Sequence, residues 1–181
     1  MKANEVVNET KFISVGQLQV GDIILSTSEG SVSSTVRVGT NSKFSHARIY
    51  IGDSEVIEAI DPRVIRDNII DLIEHDTYTY VYRYPNLSAT QKSKIVEYSS
   101  NQIGKEYDLS GALSSSVTGA LLLGPLPKLQ NLINSEFDFF CSELVAFSYK
   151  SAGVPLNYAA SQTTPRDLAV NDKLTFIGRL K

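Results

Sequence analysis

The hydrophobic period of this chain changes at Pro85, and that change decides its fold class. Before Pro85 the apolar residues alternate as they do in strands. Ser45-His46-Ala47-Arg48-Ile49-Tyr50-Ile51 and Val56-Ile57-Glu58-Ala59-Ile60 flank the turn formers Gly52, Asp53 and Ser54, which predicts a hairpin. Alternation puts His46, Arg48 and Tyr50 on one face and Ala47, Ile49 and Ile51 on the other. Gly21-Asp22-Ile23-Ile24-Leu25 reads as a turn feeding a buried strand, and Val64-Ile65 as the start of another. Tyr78 to Tyr84 is the strongest strand signal, with tyrosine at every even position, so one aromatic face should pack partly buried. After Pro85, Ser88 opens a helix with Gln91 as its capping-box partner, and Gly104 stops it. A second helix is expected from about Phe139 or Phe140 to Ala152, capped by Asp138 and ended by Gly153 and Pro155. Residues 173–177 predict a last strand. The order predicts an α+β domain, a curled antiparallel sheet packed against helices.

At 181 residues the chain has room for one ordinary domain, expected over residues 12–181 after a loose polar arm at 1–11. The formal net charge of -3 leaves no basic field of the kind nucleic-acid binding needs. The opening MKANEVVNETKF has no apolar core for an export signal, so the expected location is cytoplasmic unless a leader was removed or a dedicated secretion route is used. The least polar stretch, about 110–134, is broken by serines and prolines and falls short of a membrane-spanning helix.

One cysteine excludes an internal disulfide and any cluster of thiolates. Most lone cysteines are small buried hydrophobes, and Cys141 must be weighed against that. If Asp138 caps its helix, Cys141 lies in the first turn, where free amides and the helix dipole favour a thiolate and can hold an oxyanion. These features alone leave a reactive and a structural cysteine evenly matched. His46 opens a strand after a Ser/Thr/Gly-rich loop, and a histidine is the natural base for a thiol. Taken alone it reads better as a half-buried histidine with a satisfied hydrogen bond. His75, between acidic neighbours, reads as a solvated loop or helix end. Glu58 is a carboxylate inside an apolar strand and needs a partner if it faces inward. Orienting His46 is one such job, and a salt bridge to Arg48 is the plain alternative. A three-residue turn at Asp53-Ser54-Glu55 would set Glu58 opposite Tyr50, too far along for direct contact without strong coiling or a bulge. Asp22 and Asp61 are rival third residues.

These segments together resemble the circularly permuted branch of the NlpC/P60 papain-like superfamily, the YiiX/YebB-like cysteine hydrolases. The likeness is carried by Val20-Gly21-Asp22-Ile23-Ile24-Leu25, by Ser45 to Gly52, by Val56-Ile57-Glu58-Ala59, and most specifically by Phe140-Cys141-Ser142-Glu143-Leu144-Val145. Gly104 to Asp108 and Thr164 to Leu168 are weaker likenesses. They occur in family order over roughly residues 20–170. The resemblance implies a permuted papain-like fold with Cys141 as nucleophile, His46 as base and Glu58 as orienter. Asp22, Arg48, Tyr50 and Tyr107 are further candidates for substrate or oxyanion contacts. Arg48 stands where relatives commonly have glycine, so a cation is expected to crowd or read the cleft.

The chemistry implied is acyl transfer through sulfur, with no metal or organic cofactor needed. The substrate implied is an amide, in a cell-wall peptide or a small peptide conjugate. Permuted relatives also act on lipid acyl groups, and the apolar segment 110–134, either a substrate lid or a core helix, would suit an acyl chain or transient membrane contact if exposed. A catalytically silent binding domain is the third reading.

Overall fold

A computed structural model describes residues 11–28, 42–60, 62–105, 141–156 and 160–181. The arm at 1–10, the apolar segment 110–134, Asp61, Tyr107 and the cap Asp138 lie outside these residues.

Among the described residues seven strands form one sheet in the order β1-β7-β6-β2-β3-β4-β5. They are β1 (Phe12–Ile13), β2 (Ile23–Ser28), β3 (His46–Gly52), β4 (Glu55–Ile60), β5 (Arg63–Asn68), β6 (Asp76–Arg83) and β7 (Thr175–Leu180). Every neighbouring pair is antiparallel except β1 with β7, so the sheet is mixed at one edge. Among the described residues the α-helices that accompany it are α1 (Ile69–His75), α2 (Ala89–Ser100), α3 (residues 141–151) and α4 (Pro165–Ala169). The predicted α+β architecture is therefore present.

The side-chain pattern explains the layering. Ile23, Leu25, Ala47, Ile49, Ile57, Tyr80 and Tyr82 point to one face, where they cluster with Ile95 of α2 and with Cys141, Leu144, Val145 and Tyr149 of α3. Ile24, Tyr50, Val56 and Val81 point to the other face and cluster with Ile69, Leu72 and Ile73 of α1. Tyr80 and Tyr82 are almost fully buried on the predicted aromatic face, whereas Tyr78, nearer the strand's start, is 38% exposed.

Local signals set the helix ends. Ser88 and Gln91 form the reciprocal capping box on α2. The turn after α2 is tied to the sheet, since Gly104 N donates to the Val64 carbonyl at 2.9 Å. α3 is pinned at both ends: Ser142 Oγ donates to the Thr163 carbonyl and Tyr149 Oη to the Gly21 carbonyl. Gly21 has φ +91°, and a Cβ there would meet Leu87 Cδ1 at 2.9 Å, so the turn into β2 needs glycine on both counts.

Two departures from the sequence reading are nonlocal. The last strand runs Thr175–Leu180, because Gly178 and Arg179 fill the slot between β6 and β1. α1, with only one buried residue, is a short helix capped by the Asn68 side chain and held over the second face.

Candidate active site

His46 is the first residue of β3, and Glu58 lies near the end of β4. The turn between the two strands is shorter than the sequence predicts. Asp53 and Ser54 both have positive φ (52° and 63°), the signature of a two-residue type I′ turn. Gly52 then pairs with Glu55, and the register shifts before Tyr50 pairs with Val56. Ile51 is thus the extra residue of a β-bulge. The result sets Glu58 opposite Arg48 instead of Tyr50, two positions closer to His46. His46 and Glu58 become diagonal neighbours across the ladder, within reach of long side chains.

Contact follows. His46 Nε2 lies 2.5 Å from Glu58 Oε2, with the side chains 18% and 1% exposed. Arg48 Nε donates to the same oxygen at 2.8 Å, and Arg48 Nη1 donates to Ser26 Oγ at 2.6 Å and Asp76 Oδ2 at 2.7 Å. Burial pushes the Glu58 carboxyl up, but the His46 hydrogen bond and the charges of His46 and Arg48 outweigh it and hold the group at about 2. Glu58 is thus an anion and an acceptor. In a neutral ring Nε2 carries the proton and Nδ1 keeps the lone pair that a base needs. Burial pulls the Arg48 guanidinium down, and the Glu58 and Asp76 charges more than reverse it, so its pKa is raised.

The other sequence candidates fall elsewhere. Arg48 does not read a cleft; it is buried in the charge cluster around Glu58. Asp22 stands at the far end of β3, where its carbonyl accepts from Tyr50 N, and its carboxylate is clasped by Arg83 Nε and Nη2 at 2.6 and 2.7 Å. That pairing, at the opposite end of β3 from His46, removes it as His46's orienter. Tyr50 is also buried, its hydroxyl accepting from Ser54 N across the hairpin. Sequence reasoning missed Asp76 and Ser26. Asp76 was legible only as an acidic neighbour of His75, and Ser26 as a small polar residue at the end of an apolar strand.

Cys141 lies in the first described turn of α3 and is fully buried. It belongs to the cluster containing Phe44 and Ala47, which flank Ser45 and His46 where the chain enters β3. His46 itself is carried on the face of Glu58, at the very end of the strand.

Comparison with known proteins identifies the family. A family model described as "Permuted papain-like amidase enzyme, YaeF/YiiX, C92 family" matches residues 17–117. The chain belongs to this family. The matched span of this permuted papain-like amidase family holds His46, Arg48, Glu58 and Asp76 and stops short of Cys141. "Probable lipoprotein peptidase YaeF" of Escherichia coli (strain K12) is 30% identical over 178 residues, covering 87% of this chain; the chain spans 65% of that protein's length. The crystal structure of YiiX from Escherichia coli O157:H7, titled a metalloprotein, superposes with a TM-score of 0.64 at 20% identity, covering 90% of this chain and 98% of that one. That likeness establishes the permuted papain-like fold. Among the described residues no group of three or more His, Cys, Asp or Glu is placed to hold a metal ion. Among them, too, no helix is long and apolar enough to cross a membrane.

Proposed function

We propose that the chain is a cysteine amidase or peptidase acting on a peptide-like amide, in a cell-wall peptide or a small peptide conjugate. The observation that carries this reading is the His46–Glu58 pair: a ring on a rigid strand end, its Nε2 held at 2.5 Å by a buried carboxylate, as a base that must become an imidazolium requires. Membership of an amidase family agrees with it. His46 Nδ1 takes the Cys141 proton, and the sulfur attacks the substrate carbonyl carbon. The oxyanion is held by amides at the start of α3. The C–N bond breaks as the imidazolium returns its proton to the leaving amine. Water, deprotonated by the same ring, then cleaves the thioester to release the acid and restore the thiol. The mechanism needs Nδ1 and Sγ to meet around the end of β3, and needs nothing from residues 1–11, with 12–181 acting as one catalytic domain.

One observation favours a second reading. Cys141 is wholly buried in the Ala47 cluster, as an inert structural cysteine would be, and a silent binding domain would keep it there. Lipid acyl transfer, with its membrane contact, rests on the segment 110–134 and has no support among the described residues.

The rate of Cys141 alkylation against pH, followed by intact mass in the native protein and in His46→Ala, decides between the readings. The hydrolase should label well below the pH of a free thiol, and the substitution should slow labelling about 10- to 100-fold near neutral pH. Labelling that is slow, confined to alkaline pH and indifferent to His46 in folded protein would overturn the dyad in favour of the silent domain.

A further inference from the structure

Behind His46 and Glu58 lies a charge pair that the proposed chemistry leaves unused. Arg48 and Asp76 have side chains only 7% and 5% exposed, and their ion pair measures 2.7 Å. Arg48 Nε sits at 2.8 Å from the one Glu58 oxygen that also meets His46. Two cations on one oxygen compete for its charge. A lone guanidinium in that place would weaken Glu58's hold on an imidazolium. Asp76, on the far side of the guanidinium, offsets it. The cluster then contains two carboxylates, one permanent cation and one ring that can gain a proton, so protonating His46 brings it to neutrality.

We propose that Asp76 and Arg48 are positioning residues for His46. Arg48 fixes the Glu58 oxygen against the ring, and Asp76 neutralises Arg48 so that the negative charge of Glu58 remains available to the imidazolium. The proposal rests on His46 being the base. The acidic, basic and thiol groups on the elements around the ring are Arg48 on β3, Glu55 and Glu58 on β4, Arg63, Arg66 and Asp67 on β5, Asp71, Glu74 and His75 on α1, Asp76 and Arg83 on β6, Lys43 before β3, and Cys141, Glu143 and Lys150 on α3. β2 contributes the uncharged Ser26, paired with His46 across the ladder. Arg66 pairs with Glu55 at the exposed turn end of β4, Arg63 and His75 are exposed, and the Lys43 ammonium lies 4.5 Å over the Tyr80 ring. Glu58, Arg48 and Asp76 form a continuous chain of hydrogen bonds that starts at the ring.

The test is the NMR titration of the His46 Cε1–H, assigned with His46→Ala, in the intact protein and in folded Asp76→Asn and Arg48→Gln variants. Asp76→Asn is isosteric and keeps an acceptor for Arg48 Nη1, so its effect is one of charge. It should lower the His46 midpoint by about one pH unit, and Arg48→Gln should raise it by about as much. Arg48→Lys keeps the charge but not the fork that spans Glu58, Ser26 and Asp76, so it should raise the midpoint by less than about one unit, which provides a second reading if Arg48→Gln does not fold. A salt bridge that does not act on the ring predicts neither shift. An unmoved or raised midpoint in Asp76→Asn would overturn the proposal. The titration needs no substrate and can be repeated in Cys141→Ala, so failure of the positioning pair is read apart from failure of the cysteine chemistry.

Discussion

Thr79 faces the same side of the sheet as Arg48, paired across the ladder with Ser26, and its buried Oγ1 has no hydrogen-bond partner among the described residues. A hydroxyl in that position has lost its water and gained nothing for it. Thr79→Val removes the polar atom with little change of shape and should raise unfolding free energy by about 1 kcal/mol, measured by urea denaturation. Glu58 is the contrasting case, a buried polar group whose Oε2 is engaged by both His46 and Arg48. Both lay within apolar strand patterns, and nothing in either pattern separates the engaged group from the idle one. His46, Glu58 and Cys141 were legible as chemical types with suitable neighbours. That His46 and Glu58 touch was not, because contact depends on the ladder register.

That register is decided in the β3–β4 hairpin. Asp53 and Ser54 hold left-handed backbone angles, which cost a side-chain-bearing residue roughly 1–2 kcal/mol each. The hairpin nonetheless keeps them, held by Ser54 N on Tyr50 Oη and by Ile69 N on the Ser54 carbonyl. Those bonds to Ser54 use only its backbone, so Ser54→Gly should raise the thermal midpoint, with a gain of about 0.5–1 kcal/mol, and leave the His46 titration unchanged. Capping was easier to foresee than the turn. The Ser88–Gln91 box reads directly from residues three apart, whereas Gly52-Asp53-Ser54 fits turns of two or three residues equally well.

Across the whole molecule, two carboxyls, one buried and one half-buried, pull the stability profile in opposite directions. Glu58 is held at about 2 against an ordinary value of 4.5, so its stabilisation, on the order of 3 kcal/mol, is complete above pH 4.5 and is lost as pH falls from there towards 2. Glu143, half-buried on α3, is pushed up to about 7 by burial alone, so its ionisation costs stability as pH rises from about 4.5 through 7. The urea midpoint should therefore fall on both sides of a maximum near pH 5. Glu143→Gln should flatten the decline on the alkaline side and leave the acid side unchanged.

The sequence by itself determined the main strands, the helix after Pro85 with its Ser88–Gln91 cap, the α+β class and the family, since these depend on periodicity and on residues a few positions apart. The tertiary structure alone decided the rest. The bulge at Ile51 brought Glu58 to His46, Arg83 removed Asp22 from contention, and β6 delivered Asp76 to Arg48 from 28 positions away. Each of those outcomes is a matter of which backbone lies beside which, and a single residue of register moves a side chain to the other face of the sheet.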